Sequence, residues 1–184
     1  MPNTLFSIGH GNKPLDQFLK ELDSEGIAFL LDVRSKPYSK WNPQYNREDL
    51  EQALKAHGIT YVFVGDTLGG LPIDRTCYDS DNKVIYEVIK KKQFFKEGLE
   101  RLLTAHKKQV PLALMCSESN PAACHRSKLI GQELLTHKIS IQHIVGKDKI
   151  KPQELVMAEL TKGKGTTDLF GNETDFTSRK SYES

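Results

Sequence analysis

The side chains best suited to chemistry gather in two short segments, Cys116-Ser117-Glu118 and Cys124-His125-Arg126. An apolar run ends at Cys116, a polar loop follows, and Asn120-Pro121 opens a helix whose first turns hold Cys124, His125 and Arg126. A helix N-terminus carries unpaired N–H groups and partial positive charge, which suits an anion such as a phosphate or carboxylate. Arg126 adds a two-pronged donor for the same anion. The same field favours a thiolate, so Cys116 is the candidate nucleophile and the thiol expected to be the more acidic. Asp32, Glu118 and His125 are the candidate acids and bases. For substrate binding the candidates are His10, Arg34, Ser39, Gly69, Gly70, Tyr86 and Arg126.

Each of these residues also has a plain structural reading. A buried cysteine at a strand end can serve as a small apolar side chain. Asp32 and Arg34 can pair with each other. Cys124 and His125 are neighbours on a helix and should point apart, so one of them can serve packing alone. Cys116, Cys124, His125 and His10 carry donors that zinc accepts, but no CxxC or HxxxH spacing marks a metal site, and no metal or cofactor is expected. His57, His106 and His137 fall near helix ends, where they stabilise carboxyl termini. Lys90-Lys91-Lys92 reads as a solvated helix face.

The elements that must position these residues are legible from periodicity. Five short apolar runs read as strands: 4–9, 27–33, 59–65, 110–116 and 139–145. Most are continuous rather than alternating, as in strands covered on both faces. Between them lie helical patterns: Leu15, Phe18, Leu19 and Leu22; Leu50 and Leu54, capped by Asn46 and stopped at Gly58; and Phe95, Leu99, Leu102 and Leu103. A fourth carries Leu129, Ile130, Leu134 and Leu135, and a short fifth opens at Lys151-Pro152. The alternation predicts an α/β fold of three layers, with a mainly parallel sheet of about five strands and helices on both faces. Ligands of open α/β sheets bind beyond the carboxyl ends of the strands. His10, Asp32, Arg34, Gly69-Gly70, Cys116 and Glu118 should all sit there, together with long loops at 34–46 and 66–84.

The whole chain has 184 residues and a formal net charge of +2, too small a surplus to argue for nucleic-acid binding by itself. Three cysteines do not suggest a disulfide framework. No signal peptide or membrane-length apolar run is apparent, so a cytoplasmic location is expected. One domain is expected over 1–161, followed by a flexible polar tail over 162–184. Within that tail, Thr167-Asp168-Leu169-Phe170-Gly171 looks like the Leu-Phe peptides that dock on the bacterial DNA sliding clamp, although Thr166 stands where their glutamine is expected.

Several segments together resemble the prokaryotic family called domain of unknown function 488. They are Ser7-Ile8-Gly9-His10-Gly11-Asn12, Asp32-Val33-Arg34-Ser35-Lys36-Pro37 with Ser39, and Leu68-Gly69-Gly70. Tyr86 ahead of Phe94-Phe95 with Gly98-Leu99 and Leu102 also fits, and so does Met115-Cys116-Ser117-Glu118 followed by Cys124-His125-Arg126. The likeness spans about residues 4 to 145 and implies that these positions form one recurrent site. Cys116 to Arg126 also loosely resembles the strand, cysteine loop and arginine of cysteine phosphatases and rhodaneses. However, nine residues separate Cys116 from Arg126, which is too many for the phosphatase spacing. Two functions follow as expectations. The first is an enzyme, possible as a cysteine- or carboxylate-dependent hydrolase or transferase, acting on a small anionic or nucleotide-like substrate. The second is a non-catalytic nucleotide or nucleic-acid binding module associated with DNA maintenance.

Overall fold

Continuous apolar runs become strands in this chain because both faces of the sheet are covered. The computed structural model describes residues 5–167 and 175–182. Its strands are β1 (Leu5–Gly9), β2 (Phe29–Asp32), β3 (Thr60–Phe63), β4 (Leu112–Cys116), β5 (Gln142–Gly146) and β6 (Lys149–Pro152). They lie in the order β3-β2-β4-β1-β5-β6. The first five are parallel, and β6 runs antiparallel to β5. The predicted three-layer α/β architecture is therefore what forms, with one more strand than the five expected.

The helices are α1 (Leu15–Ser24), α2 (Arg47–Ala56), the one-turn α3 (Gly65–Leu68), α4 (Tyr86–Lys90), α5 (Gln93–Lys107), α6 (Gln132–Thr136) and α7 (Gln153–Leu160). A π-helical stretch, Arg126–Gly131, leads directly into α6. Alternate strand residues divide between two cores. Phe6, Ile8, Leu30, Ala113 and Met115 pack with Phe18 and Leu22 of α1 and with Leu50 and Leu54 of α2. Leu5, Leu31, Leu112, Leu114 and Cys116 pack with Phe95, Leu99 and Leu102 of α5 and with Leu129 and Leu134 across the sheet. Each fully buried large apolar side chain contributes about 1.5–3 kcal/mol relative to exposure, so the two cores hold the helices on opposite faces.

Local details depart from expectation at three places. Asn46 stands at the start of α2, but its Oδ1 accepts the Ser39 N–H (2.7 Å) instead of capping the helix. Asn120 does cap, yet what it caps is a short 3-10 turn, Pro121–Ala123, where its side chain accepts the Ala122 N–H. The segment read as a tail from Lys162 returns to the domain: Thr177 bridges Ile85, the Ser178 N–H donates to the Val84 carbonyl, and the Tyr182 N–H donates to the Asn82 carbonyl. Leu169 and Phe170, the core of the proposed clamp peptide, lie outside the described residues. Among the described residues, no helix is long and apolar enough to cross a membrane.

Candidate functional site

The sheet order creates the site. β2 leads to its neighbour β3 on one side, while the adjacent β4 leads to β5 on the other, so the connections diverge beyond the carboxyl ends of these two strands. Such a switch point leaves a crevice. Here it is a cleft of about 490 Å³ whose lining includes His10, Arg34, Ser39, Gly70, Tyr86, Cys116, Glu118, Cys124 and His125. Residues from three strand ends and the loop after α3 therefore meet, as the sequence pattern implies. Asp32, Gly69 and Arg126 do not line the cleft and instead support it from behind.

Two thiols and an imidazole form its floor. The Sγ atoms of Cys116 and Cys124 are 3.0 Å apart, and Cys124 Sγ is 3.6 Å from His125 Nδ1. Cys124 and His125 both face the cleft, although adjacent helical residues diverge, because the backbone at Cys124 is extended (φ −115°, ψ 150°). The helix begins only after Cys124, whose carbonyl accepts the Ser127 and Lys128 N–H groups. His125 Nε2 lies 3.2 Å from the Val33 carbonyl, which can only accept, so Nε2 carries the proton there and Nδ1 faces the sulfur. Gly70 packs flat on this imidazole; a Cβ there would come within 2.9 Å of the ring.

Arg126 is wholly buried and makes no ion pair among the described residues. Its guanidinium donates to Ser7 Oγ (3.1 Å) and to the Glu118 carbonyl (2.5 Å). A buried cation held only by neutral acceptors is costly, and its charge favours the thiolate form of the neighbouring Cys124. Burial pushes the Cys124 thiol up. The hydrogen bond from Cys116, the Arg126 charge and the Arg126 N–H (3.5 Å from the sulfur) together outweigh it and bring Cys124 down to about 6. Cys116 is pushed up to about 12, first by its hydrogen bond to Cys124 and then by burial. Two thiols in contact release their first proton easily and their second with difficulty. The Arg126 charge and its N–H act on Cys124 and favour the thiolate there, while the contact with Cys124 and burial disfavour ionisation of Cys116.

The other wall is held by a fork. Arg34 Nε and NH2 donate to the two Asp32 oxygens at 2.9 and 2.7 Å, Tyr61 OH donates to the same carboxylate, and Arg34 NH2 also donates to the Tyr45 carbonyl. The Asp32 carboxylate is thus engaged by three donors, while Arg34 keeps NH1 toward His10 at the cleft. His10 stacks on Tyr45 with ring centroids 4.3 Å apart, donates from Nδ1 to the Gly11 carbonyl and faces Arg34 NH1 with Nε2 (3.4 Å). Burial, opposed by the Gly11 hydrogen bond and aided by the Arg34 charge, lowers His10 to about 4, so it is neutral near pH 7. Ser39 Oγ accepts the Trp41 and Asn42 N–H groups and fixes the loop. Gly69 packs tightly on the Gly65 carbonyl and on Ser35 Oγ.

Three features escaped the sequence reading. Ser7 Oγ lies 2.6 Å from His143 Nδ1, and His143 Nε2 lies 2.7 Å from Gln153 Oε1, so a buried polar chain runs from Arg126 across β1 and β5 to α7. Burial and the Arg126 charge lower His143 to about 4. The signs of this polar chain in the sequence are single polar residues inside apolar strands, Ser7 in β1 and His143 in β5. Gly9 itself permits the close approach of the site loop, since a Cβ there would lie 1.9 Å from the Glu118 carbonyl oxygen. Finally, Ser178, Arg179 and Tyr182 line the cleft, and Arg179 NH2 pairs with Glu118 Oε1 at 2.9 Å. No pattern in the polar C-terminal stretch announces them.

Fold and site together define a doubly wound α/β domain with a thiol–imidazole cleft at its switch point. The chain belongs to the family described as "Domain of unknown function DUF488", whose profile matches residues 14–132, more than half of its length. The match includes both thiols, His125 and the Asp32–Arg34 fork, and stops short of Ser7 and His10 on the amino-terminal side. No curated protein and no solved structure matches the chain.

Proposed function

We propose that the protein is an enzyme acting on a small anionic or nucleotide-like substrate, with a thiolate centre at Cys124 and Cys116 as its reactive group. One observation carries this reading. The buried Arg126, without an ion pair among the described residues, lies beside a thiol drawn down to about 6, and that thiol packs in the core while also lining the cleft. A structural cysteine needs neither a lowered pKa nor an opening. Lys36 in the cleft lining supplies attraction for an anion. Tyr86 is almost wholly buried, with its ring in the lining, and its ionisation is suppressed first by burial and then by the nearby Cys124 charge. It therefore remains a hydroxyl donor for the substrate. Asp32 acts as a positioning residue in this scheme, holding Arg34 by its fork so that NH1 stays at the cleft beside His10.

The test is protection and turnover. Native protein is alkylated in the presence of nucleoside monophosphates, inorganic phosphate, small dicarboxylates and their uncharged analogues. The compounds that protect are then offered as substrates to wild type and to Cys124→Ser. The reading expects at least one anion, and no neutral analogue, to slow alkylation of Cys124, and expects turnover to vanish in Cys124→Ser. Equal rates with every additive, or turnover unaffected by Cys124→Ser, would overturn it.

A further inference from the structure

We infer that Cys116, Cys124 and His125 form a binding site for one soft divalent cation of the zinc type, with its remaining coordination position open to the cleft. The inference rests on the cleft reading above and specifies what its thiolate centre holds. The three ligand atoms lie within 4.8 Å of one another, and all three residues are buried. Two thiolates and one imidazole are a donor set that zinc accepts in tetrahedral sites that leave a place for water or substrate.

Geometry supports this beyond the donor types. Metal–ligand lengths of about 2.3 Å to sulfur and about 2.0–2.1 Å to nitrogen place tetrahedral ligands about 3.8 Å apart for S···S and about 3.6 Å for S···N. Cys124 Sγ and His125 Nδ1 already stand 3.6 Å apart, and the two sulfurs need to open from 3.0 Å by less than one ångström. A second and independent feature is the hold on His125. Ligating histidines donate their other ring N–H to a carbonyl or carboxylate, which fixes the tautomer and aims the lone pair. His125 Nε2 does this at Val33, which leaves Nδ1 toward the sulfurs, and Gly70 leaves room for the ring to lie flat. The Arg126 N–H toward Cys124 Sγ and the buried Arg126 charge stabilise the ligand in its ionised form. Since all three residues line the cleft, the side without a protein ligand faces the substrate space. A cation there would polarise an oxygen of a bound anion.

The experiment uses full-length protein, reduced and stripped of metal with a chelator. Zinc is titrated against a chromophoric chelator, and cobalt is added in parallel to look for thiolate-to-cobalt charge-transfer absorption. The site predicts one ion per chain, a charge-transfer band, and zinc protection of Cys124 from alkylation. It also predicts a loss of affinity of at least about 100-fold in Cys116→Ser, Cys124→Ser and His125→Gln, above the range seen for outer-shell changes. Cys77→Ala, at a cysteine outside the cleft, should leave binding unchanged, and circular dichroism checks that every variant is folded. Absence of the band, unchanged affinity in His125→Gln, or an equal loss in Cys77→Ala would overturn the inference. An anion-protected, reactive Cys124 with no metal uptake would overturn the metal site alone. Stoichiometric metal uptake without anion protection would overturn the substrate reading alone.

Discussion

Replacing Cys116 by alanine removes the S–H group that stabilises the Cys124 thiolate, while serine at the same place keeps a donor. A hydrogen bond to a charged group is worth about 1.5–3 kcal/mol, and one pKa unit corresponds to about 1.36 kcal/mol. Cys116→Ala should therefore raise Cys124 from about 6 by roughly 1–2 units, whereas Cys116→Ser should leave it nearly unchanged. At pH 7 the thiolate population would fall from roughly nine-tenths to between one-half and one-tenth, and the alkylation rate at neutral pH would fall in step. The assay is the rate of iodoacetamide labelling against pH in a Cys77→Ala background, with the labelled residue located by peptide mass spectrometry. The two variants differ by a single polar group, so a general loosening of the strand end would shift both alike. If Cys116→Ala and Cys116→Ser gave the same midpoint, or if alanine lowered it, the shared-proton argument would be refuted.

Other predictions follow from the groups behind the cleft. Asp32→Asn leaves Arg34 buried without its counter-ion and should cost about 3–5 kcal/mol in urea unfolding; a loss below 1 kcal/mol would return Asp32 to the list of catalytic candidates. Gly70→Ala forces a Cβ to within 2.9 Å of the His125 ring. It should cost about 1–3 kcal/mol and shift the His125 imidazole resonances, whereas unchanged spectra would mean that Gly70 does not set that ring. His10 and His143 titrate near 4 when folded and near 6.5 when unfolded. The unfolded chain thus binds more protons between these values, and stability should fall as pH drops from about 6.5 to about 4, with a slope of up to ~2 protons. His143→Gln should remove about one proton from that slope. Cys124 is lowered on folding, so its contribution is present above about 9 and lost as pH falls through about 6; Cys124→Ser should abolish this component of the stability curve between those values.

How much of this was legible depended on how local the cause was. The five parallel strands followed from continuous apolar runs, because burial on both faces acts on each residue separately. β6 was missed because Lys149-Ile150-Lys151-Pro152 is a short edge strand, and lysines and proline are what keep such an edge from pairing further. Convergence of His10, Arg34, Cys116, Glu118 and His125 on one cleft followed from their positions after strands. The shared facing of Cys124 and His125 did not, since it hangs on one extended residue before the helix. Asn120-Pro121 points to a helix starting close behind Cys116; in the fold the first helical N–H groups donate to the Cys124 carbonyl, which brings the helix start to the second cysteine. Arg179 and Tyr182 reach the cleft through pairing of Thr177 with Ile85, a long-range contact that leaves no periodic trace in the sequence.

The proposed chemistry depends on Cys124 being a thiolate at neutral pH with Arg126 as its counter-charge. The most direct measurement is a residue-resolved alkylation titration of the reduced native protein between pH 4 and pH 10, with peptide mass spectrometry separating Cys77, Cys116 and Cys124. The thiolate assignment predicts a midpoint for Cys124 near 6, with Cys116 unreactive across the neutral range. A Cys124 midpoint near the ordinary thiol value of about 8.5, or labelling of Cys116 ahead of Cys124, would contradict it.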